Sequence, residues 1–139
     1  MRSLLAAVIG IGVGAVGMAA VQHGGHGNVR TIAERDIAEK LDAKDTKVSF
    51  VEVSLEPGEA NAPHRHPGPV FGYVLEGEFE WAINKEPAKV FKAGDTFYEP
   101  TGCLHRVSKS AAAKEKTRVL AVVVWPRDSK QLVIPEPGK

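Results

Sequence analysis

From Lys47 onward the apolar residues recur with a period of two, in short runs that Gly, Pro, Asn and Asp break off. Val48, Phe50, Val51, Val53 and Leu55 form a first strand that stops at Pro57-Gly58. Val70 to Leu75 stops at Glu76-Gly77, which reads as a tight turn into Glu78–Ile83 and so as a hairpin. In the second of these strands the alternation Glu78, Phe79, Glu80, Trp81 marks one wet face and one dry face. Asn84-Lys85-Glu86-Pro87 turns the chain into Lys89–Lys92, and Ala93-Gly94-Asp95 turns it again into Thr96–Tyr98. Leu104–Ser108, the Val-rich run Val119 to Trp125 and Gln131–Ile134 complete the series. Eight or so short strands with no long helix among them predict an all-β sandwich or barrel.

The residues before Lys47 are of another kind. Arg2 precedes an uncharged run from Leu4 to Val21, and the small residues Gly17-Met18-Ala19-Ala20 offer a cleavage point after Ala19 or Ala20. Residues 1–20 therefore read as a secretory signal peptide. The same run is just long enough to span a bilayer, and as a retained anchor over residues 4–21 it would present Gly10 and Gly14 as a Gly-x-x-x-Gly face. Residues 21–46 read as a linker and a short helix. His23-Gly24-Gly25-His26-Gly27 is flexible, and Thr31-Ile32-Ala33-Glu34 has the pattern of a capping box ahead of Ile37, Ala38 and Leu41.

Charge narrows the function classes. Eighteen Lys and Arg face 17 Asp and Glu with no basic block, so nucleic acid is not an expected partner. Cys103 is the one cysteine; there is no internal disulfide, and an exported domain of this size must be held by its core alone.

His64 and His66 stand two apart in the stretch Pro63-His64-Arg65-His66-Pro67. In an extended strand residues i and i+2 share a face, roughly 6–7 Å apart, so both imidazoles can close on one ion. The bracketing prolines favour extended backbone here and argue against a helix. Such a pair needs further ligands from elsewhere in the chain.

The segment Gly94-Asp95-Thr96-Phe97-Tyr98-Glu99-Pro100-Thr101-Gly102-Cys103-Leu104-His105 completes a pattern that resembles the cupin superfamily. The first cupin motif is Gly, five residues, His-x-His, three or four residues, Glu, six residues and Gly; Gly58, His64, His66 and Gly77 fall in register with it. The second is Gly, five residues, Pro-x-Gly, two residues, His, three residues and Asn, matched by Gly94, Pro100, Gly102 and His105. The resemblance runs from about Lys47 to Trp125, and residues 47–139 are expected to form a single domain. It implies a double-stranded β-helix barrel of the jelly-roll kind, a divalent transition metal held by His64, His66 and His105, a small-molecule ligand or substrate, and a homodimer joined through edge strands.

Two positions depart from the pattern: the motif glutamate falls on Val70 and the final asparagine on Lys109. That glutamate is usually the fourth protein ligand and often the base, so the chain is similar to the three-histidine cupins. Some of these are non-haem iron dioxygenases that cleave carbon–carbon bonds or oxidise thiols. Three neutral imidazoles leave an ion its full charge and open positions, which suits Lewis-acid chemistry or joint binding of an anionic, chelating substrate and dioxygen. Iron(II), manganese, zinc, nickel and copper all suit such a set.

Residue 70 has the parity of His64 and His66, so Val70 is expected to face the metal without coordinating it. Glu99 and Glu76 are the carboxylates that could stand in, although beside Pro100 and at a turn both read more simply as surface charges. Cys103 shares the parity of His105, as a weak ligand or oxidisable group or, more simply, as a small core residue. Tyr73, Phe79, Trp81, Phe97, Tyr98 and Trp125 can line a pocket or fill the barrel and a dimer face. Alternation turns Arg65 and Arg106 away from the ligands. The expected protein is an exported, periplasmic or secreted metal-binding cupin acting as a metal-dependent dioxygenase on a small organic molecule. The alternatives are a non-catalytic periplasmic cupin that binds a small ligand or metal, and a metal-free structural one.

Overall fold

The computed structural model describes Ile32, Glu39 and residues 45–137. The expected signal segment and, apart from Ile32 and Glu39, the expected helix lie outside the described residues. Among the described residues every regular element is a strand: β1 Thr46–Leu55, β2 His64–Arg65, β3 Val70–Glu76, β4 Glu78–Ile83, β5 Lys89–Lys92, β6 Thr96–Glu99, β7 His105–Ser110, β8 Thr117–Pro126 and β9 Ile134–Pro135. They form two antiparallel sheets, ordered β1-β8-β3-β6 and β5-β4-β7-β2-β9, within the unit Ala33–Lys139.

The expected hairpin between β3 and β4 does not exist. β3 pairs with β6 and β8, whereas β4 pairs with β5 and β7, so Glu76-Gly77 is the corner at which the chain leaves one sheet for the other. Gly77 has φ +74°, and a Cβ there would stand 2.6 Å from the Lys116 carbonyl oxygen, so only glycine can turn this corner. Alternation and a turn-forming glycine look the same in sequence whether the chain folds back or crosses over.

Residues from both sheets meet in the interior. Leu55, Val74, Phe79, Trp81, Ile83, Phe97 and Val119 form the main buried cluster, and Val70, Val123 and Trp125 a second. The Phe79 and Phe97 rings lie 5.4 Å apart and Trp81 sits 5.8 Å from Phe97. Such aromatic pairs add about 0.5–1.5 kcal/mol each beyond the area they bury. Gly72 is the register partner of Phe97, and a Cβ on it would lie 2.1 Å from the Phe97 ring. The bare backbone of β3 thus leaves room for the Phe97 ring, which packs against Phe79, Trp81 and Phe91. β1, an edge strand, directs Val51 and Val53 inward and leaves Phe50 on the outer face.

Candidate metal centre

β2 is only two residues long, bracketed by Pro63 and Pro67, and lies between β7 and β9. His64 pairs directly opposite His105 across the β2 and β7 strands, while His66 follows two residues on with the same parity. Directly opposed residues on one sheet face bring their side chains together. The His64 ring lies 4.9 Å from that of His66 and 5.0 Å from that of His105, and one ligand atom from each falls within 4.8 Å of the others. The three histidines predicted from the motifs are therefore brought together.

Their hydrogen bonds favour ligation. His64 Nδ1 donates to the Ala62 carbonyl at 2.8 Å and His66 Nδ1 to the Leu132 carbonyl at 2.8 Å. A carbonyl oxygen only accepts, so in both neutral rings the proton sits on Nδ1 and Nε2 keeps its lone pair. His105 has a buried Nε2 without a hydrogen-bond partner among the described residues. Burial holds the His66 pKa below its usual value; at His105 burial, reinforced by the positive charges His64 and His66 would carry, pushes it down to about 3. Both rings are neutral at neutral pH, the form that binds a metal. Three convergent imidazoles, one of them with an orphaned buried nitrogen, fit a divalent transition metal.

Glu99 corrects the expectation of a surface charge. It is 2% exposed, at the end of β6, and its register partner on β3 is Val70. A carboxylate thus enters the site from the residue directly opposite the position where the motif would have placed one. Trp81 Nε1 donates to Glu99 Oε1 at 3.0 Å, and the same oxygen stands 3.1 Å from His105 Nδ1. Oε2 is buried without a hydrogen-bond partner among the described residues, 4.0 Å from His66 Nε2. Burial, partly offset by the Trp81 hydrogen bond, raises the Glu99 pKa to about 7. With His105 neutral, this contact joins a neutral imidazole to a carboxyl group that ionises near neutrality; it is not an ion pair. Parity was the available clue, since residues 97 and 99 share a face and Phe97 is an inward aromatic.

Glu76, Cys103, Arg65 and Arg106 are placed as their simpler readings had it. Glu76 lies at the surface, 3.6 Å from Arg118. Cys103 packs against the main core cluster, and burial, aided by the charge of Glu99, pushes its thiol up to about 12, so it offers no thiolate. Arg65 pairs with Glu136, and Arg106 donates to the carbonyls of Asn84 and Glu86; neither lines the cavity. Of the six aromatics, Phe79 and Phe97 line it; Trp81 stands behind Glu99, and Trp125 donates to Ser49.

The cavity beside the histidines encloses about 430 Å³. Its walls are Val51, Val53, Val70, Val119, Val123 and Leu132, with Asn61 and Ser108 as polar points bonded to each other at 3.3 Å. Among the described residues no Lys or Arg lines it.

A family model described as a cupin domain matches residues 51–123. The chain is 36% identical over 86 residues to germin-like protein 3-5 of Oryza sativa subsp. japonica, covering 56% of this chain and 38% of that one. It is 35% identical over 86 residues to oxalate oxidase 1 of Hordeum vulgare, covering 56% and 43%. It thus spans about two fifths of the length of these curated relatives. A solved structure of oxalate oxidase with the substrate analogue glycolate superposes with a TM-score of 0.50 at 28% identity, over 66% of this chain and 44% of that one.

Proposed function

Because this chain belongs to the cupin family, we propose that it binds one divalent transition metal through His64, His66 and His105 and is a metal-dependent oxygenase acting on a small, largely apolar organic molecule. The observation that carries the reading is the convergence of the three histidines, two with Nδ1 anchored on carbonyls and the third with a buried, unpartnered Nε2. The metal would supply Lewis acidity and, as iron(II), manganese, nickel or copper, a redox-active centre for dioxygen.

The chain's own residues supply the rest. Glu99 is the acid–base group: its free Oε2 faces His66, and a carboxyl that ionises near pH 7 can take a proton from a bound substrate and return it. The valines keep water from that carboxyl, and Asn61 and Ser108 offer hydrogen bonds to a substrate oxygen. Oxalate is named in the relatives, but here a dianion would meet valine walls and a buried carboxyl with no basic side chain to neutralise it. The site suits instead a diketone, phenol or thiol that reaches the metal through one ionisable group.

Anaerobic loading with iron(II), followed by oxygen, should give oxygen uptake matched by loss of one such compound. No turnover across a panel of diketones, phenols and thiols would end the oxygenase reading. The second reading, a cupin that binds a small ligand or metal without turnover, is favoured by Val70, which removes the usual fourth ligand. A ligand that co-purifies unchanged would support it.

The reading also includes export, with residues 1–20 as the signal, a periplasmic or secreted mature domain and a homodimer; residues 4–21 as a membrane anchor are the alternative. Protein recovered from the exporting host should lack the mass of residues 1–19 or 1–20 and sediment as a dimer. A full-length monomer in the cytoplasm would rule this out.

A further inference from the structure

We propose that the segment Leu132–Glu136 is a strap that positions two of the three histidines and walls the cavity, and that Arg65 and Glu136 form its clasp. The metal half of this rests on the function proposed above. Among the described residues β9 lies at the edge of its sheet and pairs only with β2, matching Pro135 to His64 and Ile134 to Arg65. The Leu132 carbonyl accepts from His66 Nδ1 at 2.8 Å, and Glu136 N donates to the Pro63 carbonyl at 3.1 Å. Leu132, Val133 and Pro135 line the cavity.

A strand of two residues makes too few bonds to hold its own orientation. β2 is held from one side by β7, which carries His105, and from the other by this strap. Arg65 ties the parts together. Its Nε and Nη2 bond the two carboxylate oxygens of Glu136 at 2.9 and 3.2 Å, and Nη1 donates to the Gly102 carbonyl at 2.8 Å. Gly102 N in turn donates to the His66 carbonyl at 3.0 Å. One guanidinium therefore joins β2, the strap and the turn that leads into His105. The pair is part-exposed, so its role is geometric more than energetic: a forked contact fixes direction. Arg65 and Glu136 touch neither metal nor substrate and act as positioning residues.

Two variants test this, Glu136→Gln and a chain ending at Gln131, each read in two ways. In metal-free protein, hydrogen exchange of the Gly102 amide should quicken tenfold or more in both. In cobalt(II) titrations the affinity should fall about 10–100-fold for the shortened chain, as for the loss of an outer partner of a ligating histidine, and several-fold for Glu136→Gln. Should the shortened chain not fold, Glu136→Gln decides alone. Unchanged Gly102 exchange with cobalt affinity within twofold of wild type would overturn the strap. If wild type takes up no cobalt, the metal reading falls, and exchange at Gly102 alone then upholds or overturns the strap.

Discussion

His105→Ala should weaken metal binding by two orders of magnitude or more while leaving the barrel folded. His105 is buried opposite His64, and its Nε2 has no hydrogen-bond partner among the described residues. Binding free energies of about 10–16 kcal/mol over four ligands put one ligand at ~3 kcal/mol, so affinity should fall by two orders of magnitude or more. The metal-free chain behaves differently. Alanine leaves a gap beside Phe79 and Trp81, which destabilises, but also removes an unsatisfied buried nitrogen. The net change should stay within ~2 kcal/mol. Thermal melts with and without chelator check both parts: wild type should lose melting temperature on chelation, and the variant should not respond. A variant that still takes up one equivalent of zinc or cobalt with wild-type affinity would remove His105 from the site.

Glu99→Gln should cut turnover by about 10²–10⁴-fold, the usual share of a general acid–base group, with metal occupancy largely kept. Glutamine retains an acceptor for Trp81 but cannot carry the proton. The metal-free protein gives a second readout. With a folded pKa of about 7 against an ordinary 4.5, Glu99 keeps a proton in the folded state that the unfolded state has lost. Its contribution to stability therefore declines as pH rises from 4.5 to 7, at about 1.4 kcal/mol per pH unit. His105, at about 3 against 6.5, takes up a proton first in the unfolded state, so its contribution declines as pH falls from 6.5 to 3, and the lowered pKa of His66 acts in the same direction. In wild type the two slopes oppose each other between pH 4.5 and 6.5. Glu99→Gln should leave only the histidine slope: stability rising with pH to about 6.5 and exceeding wild type above pH 7. A variant whose pH profile overlays that of wild type would show that Glu99 does not ionise in a buried site.

Most strands were legible because each announced itself locally. The alternation in Glu78–Ile83 and the turn Asn84-Lys85-Glu86-Pro87 place β4 and β5 to the residue. Local pattern does not say which sheet a strand joins, so the corner at Gly77 looked like a hairpin. The histidines were legible because their spacing, in His64-Arg65-His66 and from Gly94 to His105, survives in the chain's one dimension. Glu99 is not legible as a buried group because its burial is tertiary. It arises from pairing with Val70 on β3 and from the indole of Trp81 on β4. For the same reason Arg65, placed away from the ligands, showed no sign of its partner Glu136, 71 residues on.

The three-histidine centre is tested most directly by the transition-metal content of protein purified without chelators from a host that can export it. One equivalent of a divalent metal per chain, lost on denaturation, is the predicted result. Less than about a tenth of an equivalent, with no uptake of added zinc or cobalt(II), would contradict it.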